Sequence, residues 1–210
     1  MLDHYLTIKE NGVFETIIQK SRFICHISRA ETEEEAQQFI SQIKKEYWNA
    51  THNCSAYLIG ERDEFQKAND DGEPSGTAGV PMLEVLKKRQ LKNTVTVVTR
   101  YFGGTKLGAG GLVRAYGTAV SNACEEIGIV DRKLATIVHF SIEYSKLGKF
   151  ENFLDQQHYQ IMEKQFTELV TLYVFVDYHD LDSFKSKITE LSNGQVSCTE
   201  GEQKYREKDV

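Results

Sequence analysis

The fifteen residues Arg100-Tyr-Phe-Gly-Gly-Thr-Lys-Leu-Gly-Ala-Gly-Gly-Leu-Val-Arg114 set five glycines, Gly103, Gly104, Gly108, Gly110 and Gly111, among the cations Arg100, Lys106 and Arg114. Glycine lets backbone approach a ligand, and free amides at a helix start carry the positive end of its dipole. The chemistry this spacing suits is the holding of an anion, phosphate above all. Lys106 and Arg114 add charge, and Tyr101 and Phe102 offer rings on which bases can stack. The run matches neither the Walker phosphate loop nor the dinucleotide GxGxxG in register. Glycines that merely permit a tight strand-to-helix crossing are the alternative.

A second constellation lies upstream, in Asp70-Asp-Gly-Glu-Pro-Ser-Gly-Thr-Ala-Gly79. Asp70, Asp71 and Glu73, with Ser75, Gly76 and Thr77 beside them, suit either a magnesium ion shared with a phosphate or an irregular turn. His52 and Cys54 alternate across Asn53, so a strand would point both to one side. A Cys/His nucleophile pair needs a third group to orient it, and none is readable nearby, which favours packing. The run Lys87-Lys88-Arg89-Gln90-Leu91-Lys92 reads first as a helix C-terminus favoured by the dipole and only then as a phosphate contact.

Elements that would position these residues are legible around them. Thr94–Phe102 is β-branched and aromatic on both faces, as a central strand requires. From Leu112 an apolar stripe through Ala115, Tyr116, Ala119, Val120 and Ala123 predicts a long helix ending at Gly128. Upstream, Ser21–Ser28 reads as the first strand, and Thr32-Glu-Glu-Glu35 as a capping box opening a helix with Ala36, Phe39, Ile40 and Ile43 on its stripe. Thr51–Ile59 reads as a strand, Lys67–Gly79 as a loop, and Pro81 as the first turn of a short helix. Beyond Asp131 the order is a strand at Thr136–Tyr144, a helix at Lys146–Gln156, strands at Tyr159–Phe166 and Leu169–Tyr178, a helix at Leu181–Ser192 and a strand at Gln195–Glu202. This predicts an α+β protein of two domains, 1–132 and 133–210, the second a ferredoxin-like βαββαβ sandwich.

Composition sets the limits. With 210 residues, 40% of them apolar, the chain can bury two cores without staples. Cys25, Cys54, Cys124 and Cys198 show no CxxC pair or zinc spacing and read as reduced thiols. No apolar h-region opens the sequence and no run is long enough for a membrane span, so the expectation is a soluble, cytoplasmic protein with no membrane partner. The net charge of −6 excludes a general nucleic-acid coat. Between Gly79 and Val120, however, seven cations face the single acid Glu84, which points to an anionic partner met at one face.

The two motifs Asp70–Gly79 and Arg100–Gly117 together resemble the signature of the IMPACT family in its bacterial YigZ branch. The resemblance implies an N-terminal domain like the second domain of a small-subunit ribosomal protein, and a C-terminal domain like the last domain of elongation factor G. Eukaryotic members regulate translation initiation through an additional N-terminal RWD domain that this sequence does not show, so a link to translation transfers but their binding activity does not. The leading expectation is a non-enzymatic, translation-linked binding protein that contacts RNA, the ribosome or translation factors through Arg100, Lys106, Arg114 and the glycines. The alternative is a magnesium-dependent enzyme acting on a nucleotide or phosphorylated small molecule, with Asp70, Asp71 or Glu73 holding the metal. A third reading gives a protein partner to the acidic C-terminal domain.

Overall fold

The computed structural model describes residues 3–60 and 62–210. It is a mixed α/β architecture of two compact units, one formed by the chain up to Arg132 together with Glu207–Val210, the other by Lys133–Arg206. In the first unit the order is β1 (His4–Ile8), β2 (Gly12–Ile18), β3 (Ser21–Arg29), α1 (Glu33–Glu46), β4 (His52–Ile59), β5 (Phe65–Asn69), α2 (Gly79–Lys88), β6 (Thr94–Tyr101) and α3 (Gly108–Ile127).

The main sheet runs β2-β3-β6-β4-β5, and every neighbouring pair is antiparallel. Because β3 and β4 both oppose the central β6, they are parallel to each other across it, and α1 joins them as a split βαβ crossing. Alternation along β6 explains its apolar character on both faces. Val98 packs with Phe23, Cys54 and Ala56 against Met82 of α2 and Ala119 of α3. Val95 packs with Tyr57 and Ile59 against α1.

Local chemistry places the helices. Thr32 accepts from the Glu35 amide at 3.2 Å and the Glu35 carboxylate accepts from the Glu31 amide at 2.7 Å, a capping box with its return bond displaced by one residue. Gly128 ends α3 with φ +89°, a backbone conformation glycine adopts without cost.

The structure differs from the sequence expectations at several places, among them a strand over Ile129–Ile142 where the sequence predicts Thr136–Tyr144. Two strands, β1 and β2, precede the expected first strand; β2 is an edge strand whose side chains alternate between exposed and half-buried, which weakens its apolar signal. Phe65–Asn69, whose last three residues fall in the expected loop Lys67–Gly79, pairs with β4 as β5. α3 starts at Gly108, a full turn before Leu112, so Gly110 and Gly111 are helical and not loop residues. The last strand runs over Thr199–Asp209 and not Gln195–Glu202.

The second unit contains β7 (Ile129–Ile142), α4 (Leu147–Gln156), β8 (Ile161–Phe166), β9 (Val170–Val176), α5 (Leu181–Leu191) and β10 (Thr199–Asp209), of which the start of β7 and the end of β10 belong to the first unit. The strand order is β10-β7-β9-β8, with β9 antiparallel to both β7 and β8. Its core is aromatic and aliphatic, built on Phe140, Phe150, Leu172 and Phe184. Among the described residues, no helix is long and apolar enough to cross a membrane.

Candidate functional site

The loop between β5 and α2 spends its carboxylates on three different tasks. Asp70 accepts from the amides of Gly76 at 2.8 Å, Ala78 at 3.1 Å and Gly79 at 2.8 Å, and so caps α2, whose own N-cap Ala78 has no capping side chain. Burial pushes the Asp70 carboxyl up, but the three amides outweigh it and hold the pKa below its ordinary value. Asp71 turns away to Lys44 of α1 at 2.6 Å and to the Asn53 amide at 2.6 Å. Burial again opposes ionisation there, and Lys44 and that amide bring the pKa down.

Glu73 is the buried member. Its Oε1 accepts from Arg100 Nη1 at 2.5 Å and from the Tyr116 hydroxyl at 2.8 Å. Arg100 is only 5% exposed, lies 5.3 Å from the ring centre of Phe23 and 5.6 Å from that of Phe102, and reaches Ser21 Oγ at 3.5 Å. Its Nε has no hydrogen-bond partner among the described residues. Tyr116 is fully buried edge-on against Phe23, and that burial raises its pKa.

His52 and Cys54 share the face of β4 that alternation predicts. The His52 Nδ1 lies 2.8 Å from the Asp71 carbonyl. A carbonyl only accepts, so Nδ1 donates there, and Nε2 lies 3.8 Å from Glu73 Oε2. The orienting group missing from the sequence pattern is therefore a backbone oxygen. The Cys54 thiol donates to the Asp70 carbonyl at 3.0 Å, and burial pushes its pKa up to about 12. It holds the loop as a thiol, not as a thiolate nucleophile.

Above this floor opens a cleft of about 400 Å³ whose lining includes His52, Glu73, Arg100, Phe102, Lys106 and Leu112. Gly108 and Ala109, at the start of α3, form its far edge. That helix has no side-chain cap and no acidic residue in its first turn.

Several expected site residues are redistributed. Arg100 is not a surface cation: alternation turns it inward, where Glu73 takes its charge. Tyr101 points to the opposite face of the sheet, hydrogen-bonded to Asn49 at 3.0 Å and beneath Arg22, so it is no neighbour of Phe102 in a stacking platform. The glycines divide likewise. A Cβ at Gly103 would lie 2.1 Å from the Lys20 backbone, so Gly103 serves close packing of two chain segments and not ligand approach. Gly104 and Gly108 take φ of +86° and +69° in open space. Asp70, Asp71 and Glu73 face three separate sets of protein donors and do not converge, and among the described residues no group of three or more His, Cys, Asp and Glu could hold a metal ion. Ser75 and Gly76 are exposed, and the Thr77 hydroxyl donates to the Pro74 carbonyl at 2.6 Å. Lys106 and Arg114 are exposed as expected. Arg114 lines a different hollow of about 550 Å³, between α2 and α3, with Lys88 and Arg89. His52 and Tyr116 are the residues the motifs did not single out for this floor.

The comparisons with known proteins cover both units. The Impact N-terminal domain model matches residues 19–124, and a model described as a domain of unknown function, DUF1949, matches residues 140–195. The IMPACT family member YvyE of Bacillus subtilis is 59% identical over 210 residues, covering 100% of this chain and 97% of its own. The IMPACT family member YigZ of Escherichia coli is 34% identical over 85% of this chain and 89% of its own. A solved structure described as that of a hypothetical protein is 30% identical with a TM-score of 0.61, covering 96% of this chain and 99% of that one. The Asp70 loop, the buried floor and the α3 start all fall inside the first matched domain, and the chain belongs to the IMPACT family.

Proposed function

We propose that this protein is a non-enzymatic binding protein of the cytoplasm that works in translation by meeting RNA, on the ribosome or in a translation complex, through the basic face of α2, α3 and the loop that leads into α3. The observation that supports this reading is a set of exposed cations, Lys88, Lys106 and Arg114, that have no ion-pair partner among the described residues. Some long cations pair with acids, as Lys9 does with Asp209, Lys44 with Asp71 and Arg29 with Glu207, while others such as Lys20, Lys45 and Lys67 have no ion pair among the described residues; what sets this face apart is that Glu84 is the single acid between Gly79 and Val120. Unspent charge on an otherwise acidic chain favours a phosphate polymer, which releases counterions when neutralised. The family resemblance supplies the link to translation, and the fold likenesses to ribosomal and elongation-factor domains belong to the same reading.

The test is retention of single-stranded RNA or ribosomes at rising salt. Replacing Lys106 and Arg114 by alanine removes two phosphate contacts, and the slope of log K against log salt becomes shallower by about 1.4 for single-stranded RNA. Both side chains are exposed, so stability stays nearly unchanged. Retention that ignores salt would refute the reading, as would a double variant that binds like the parent.

A further inference from the structure

We propose that the hollow between α2 and α3 seats an unstacked base of single-stranded RNA. The inference rests on the RNA reading above and adds to it that the basic face takes single strands and not duplexes. The hollow owes its depth to Gly117, which lies inside α3 with ordinary helical backbone. A Cβ there would lie 3.8 Å from Val85 Cγ2 of α2, an ordinary van der Waals contact, so neither packing nor dihedral angle calls for glycine. Glycine in a helix interior destabilises relative to alanine. What the missing side chain leaves is an opening of about 550 Å³ between two helices, where side chains ordinarily fill the groove.

Walls and rim fix the ligand class. Val85 of α2 and Val113 of α3, the latter 40% exposed, give the face of a flat ring an apolar seat. On the rim stand Lys88 and Arg114, one from the end of α2 and one from α3, both exposed and without an ion pair among the described residues. The neighbouring acids do not cancel them, because Glu84 lies against Lys87 and Glu125 against Arg89. The Thr118 hydroxyl is exposed and makes no side-chain hydrogen bond among the described residues, so it offers both a donor and an acceptor to a polar ring edge. A flat ring with a polar edge and a phosphate on either side is a nucleotide within a strand. In a duplex the bases are stacked and paired, so only a single strand, a loop or an end can put one into the hollow.

Fluorescence anisotropy of the full chain tests the site with a labelled oligouridylate, an RNA duplex of matched length and, as a phosphate chain without bases, inorganic polyphosphate as competitor. The parent is expected to bind the single strand at least about tenfold more tightly than the duplex. Gly117→Leu fills the hollow and removes no charge, so it is expected to weaken the single strand by at least about fivefold. Polyphosphate binding and the salt slope should stay as in the parent, since Lys88 and Arg114 remain. Gly117→Ala, whose Cβ fits, is expected to bind within about twofold of the parent and to melt higher, which tells filling apart from helix stiffening. Val113→Ser, at an exposed position, removes part of the apolar wall and carries the same test should Gly117→Leu melt lower: weaker on the single strand, unchanged on polyphosphate. A parent that does not bind the single strand, or binds it without salt dependence, takes down the RNA reading and this inference with it. Salt-dependent binding with the duplex held as tightly as the single strand, with both variants equal to the parent, or with equal losses on RNA and polyphosphate overturns the base site alone and leaves the RNA face standing.

Discussion

Replacing Glu73 by alanine isolates the energetics of the buried floor. The substitution leaves the Arg100 guanidinium charged and 5% exposed with no counter-charge, and strips the fully buried Tyr116 hydroxyl of its acceptor. Removing one partner of a buried ion pair costs about 3–5 kcal/mol, and an orphaned buried hydroxyl about 1–3 kcal/mol. The two share one carboxylate oxygen, so their losses overlap rather than add, and about 4 kcal/mol is expected. For a chain of this size that is a fall of about 8–16 °C in Tm. Two compact units need not unfold together, so native-state hydrogen exchange of the β6 amides reads the first unit directly. Trp48, the sole tryptophan, is 80% exposed and a poor reporter. Glu73→Gln retains an acceptor for Tyr116 and should lose less. A loss under about 1 kcal/mol for Glu73→Ala, or strict additivity with Arg100→Ala, would refute the description of a coupled buried pair.

Other expectations follow from the same geometry. His26 is buried with Nε2 unpartnered, and burial brings its pKa down from 6.5 to about 4. The unfolded chain therefore binds that proton first, and stability falls as pH drops from about 6.5 to about 4; His26→Leu should flatten urea-melt midpoints across that window. The depressed Asp70 carboxyl acts lower on the scale: its contribution is present above the ordinary value of 3.8 and is lost as pH falls through the folded pKa. Asp70→Asn should make the acid limb of the stability curve shallower while loosening α2 at neutral pH. Burial raises the thiols of Cys25 and Cys54 to about 12 and that of Cys124 to about 11, so thiol reagents at mild alkaline pH should reach these three only on unfolding, and rapid native labelling of Cys54 would contradict its place in the loop. Gly110→Ala, with open space at its Cβ position, should raise stability by up to about 1 kcal/mol, whereas Gly103→Ala collides with the Lys20 backbone and should not be tolerated without a shift.

What could be read from the sequence was what local periodicity encodes. β6, the capped α1 and the alternating order of strands and helices in the second unit follow from patterns a few residues long. β2 escaped because an edge strand buries little, and the first turn of α3 because glycine opposes a helix that Leu112, Ala115 and Tyr116 hold in place by packing. The floor is a different kind of feature, joining residues 27 and 43 positions apart. One signal was available. An arginine closing the apolar run Thr94–Thr99 of a central strand must be buried on one face or the other, and a buried arginine needs a carboxylate. Glu73, in the loop already singled out, was the candidate. Alternation in the expected strand Thr94–Phe102 already puts Arg100 and Tyr101 on opposite faces; which of the two meets Glu73 is set by long-range packing that no local pattern encodes.

A buried ion pair is weak evidence for stability, since apolar residues of similar volume often hold a fold as well or better. Holding the loop also does not require Glu73, because Asp70 already ties it to α2 and Asp71 to α1. What Glu73 adds is a polar floor, with an unpartnered Arg100 Nε and an oriented His52, under a cleft with apolar walls. The cations of the glycine motif are thereby sorted by direction: Arg100 inward to that floor, Lys106 on the rim of the cleft, and Arg114 outward beside Lys88. One side of the α3 start then borders the cleft, and the other an open basic surface. Ala109 and Arg114 lie five residues apart on the same helix and line two different hollows, so a substitution at one alters its own hollow without touching the other.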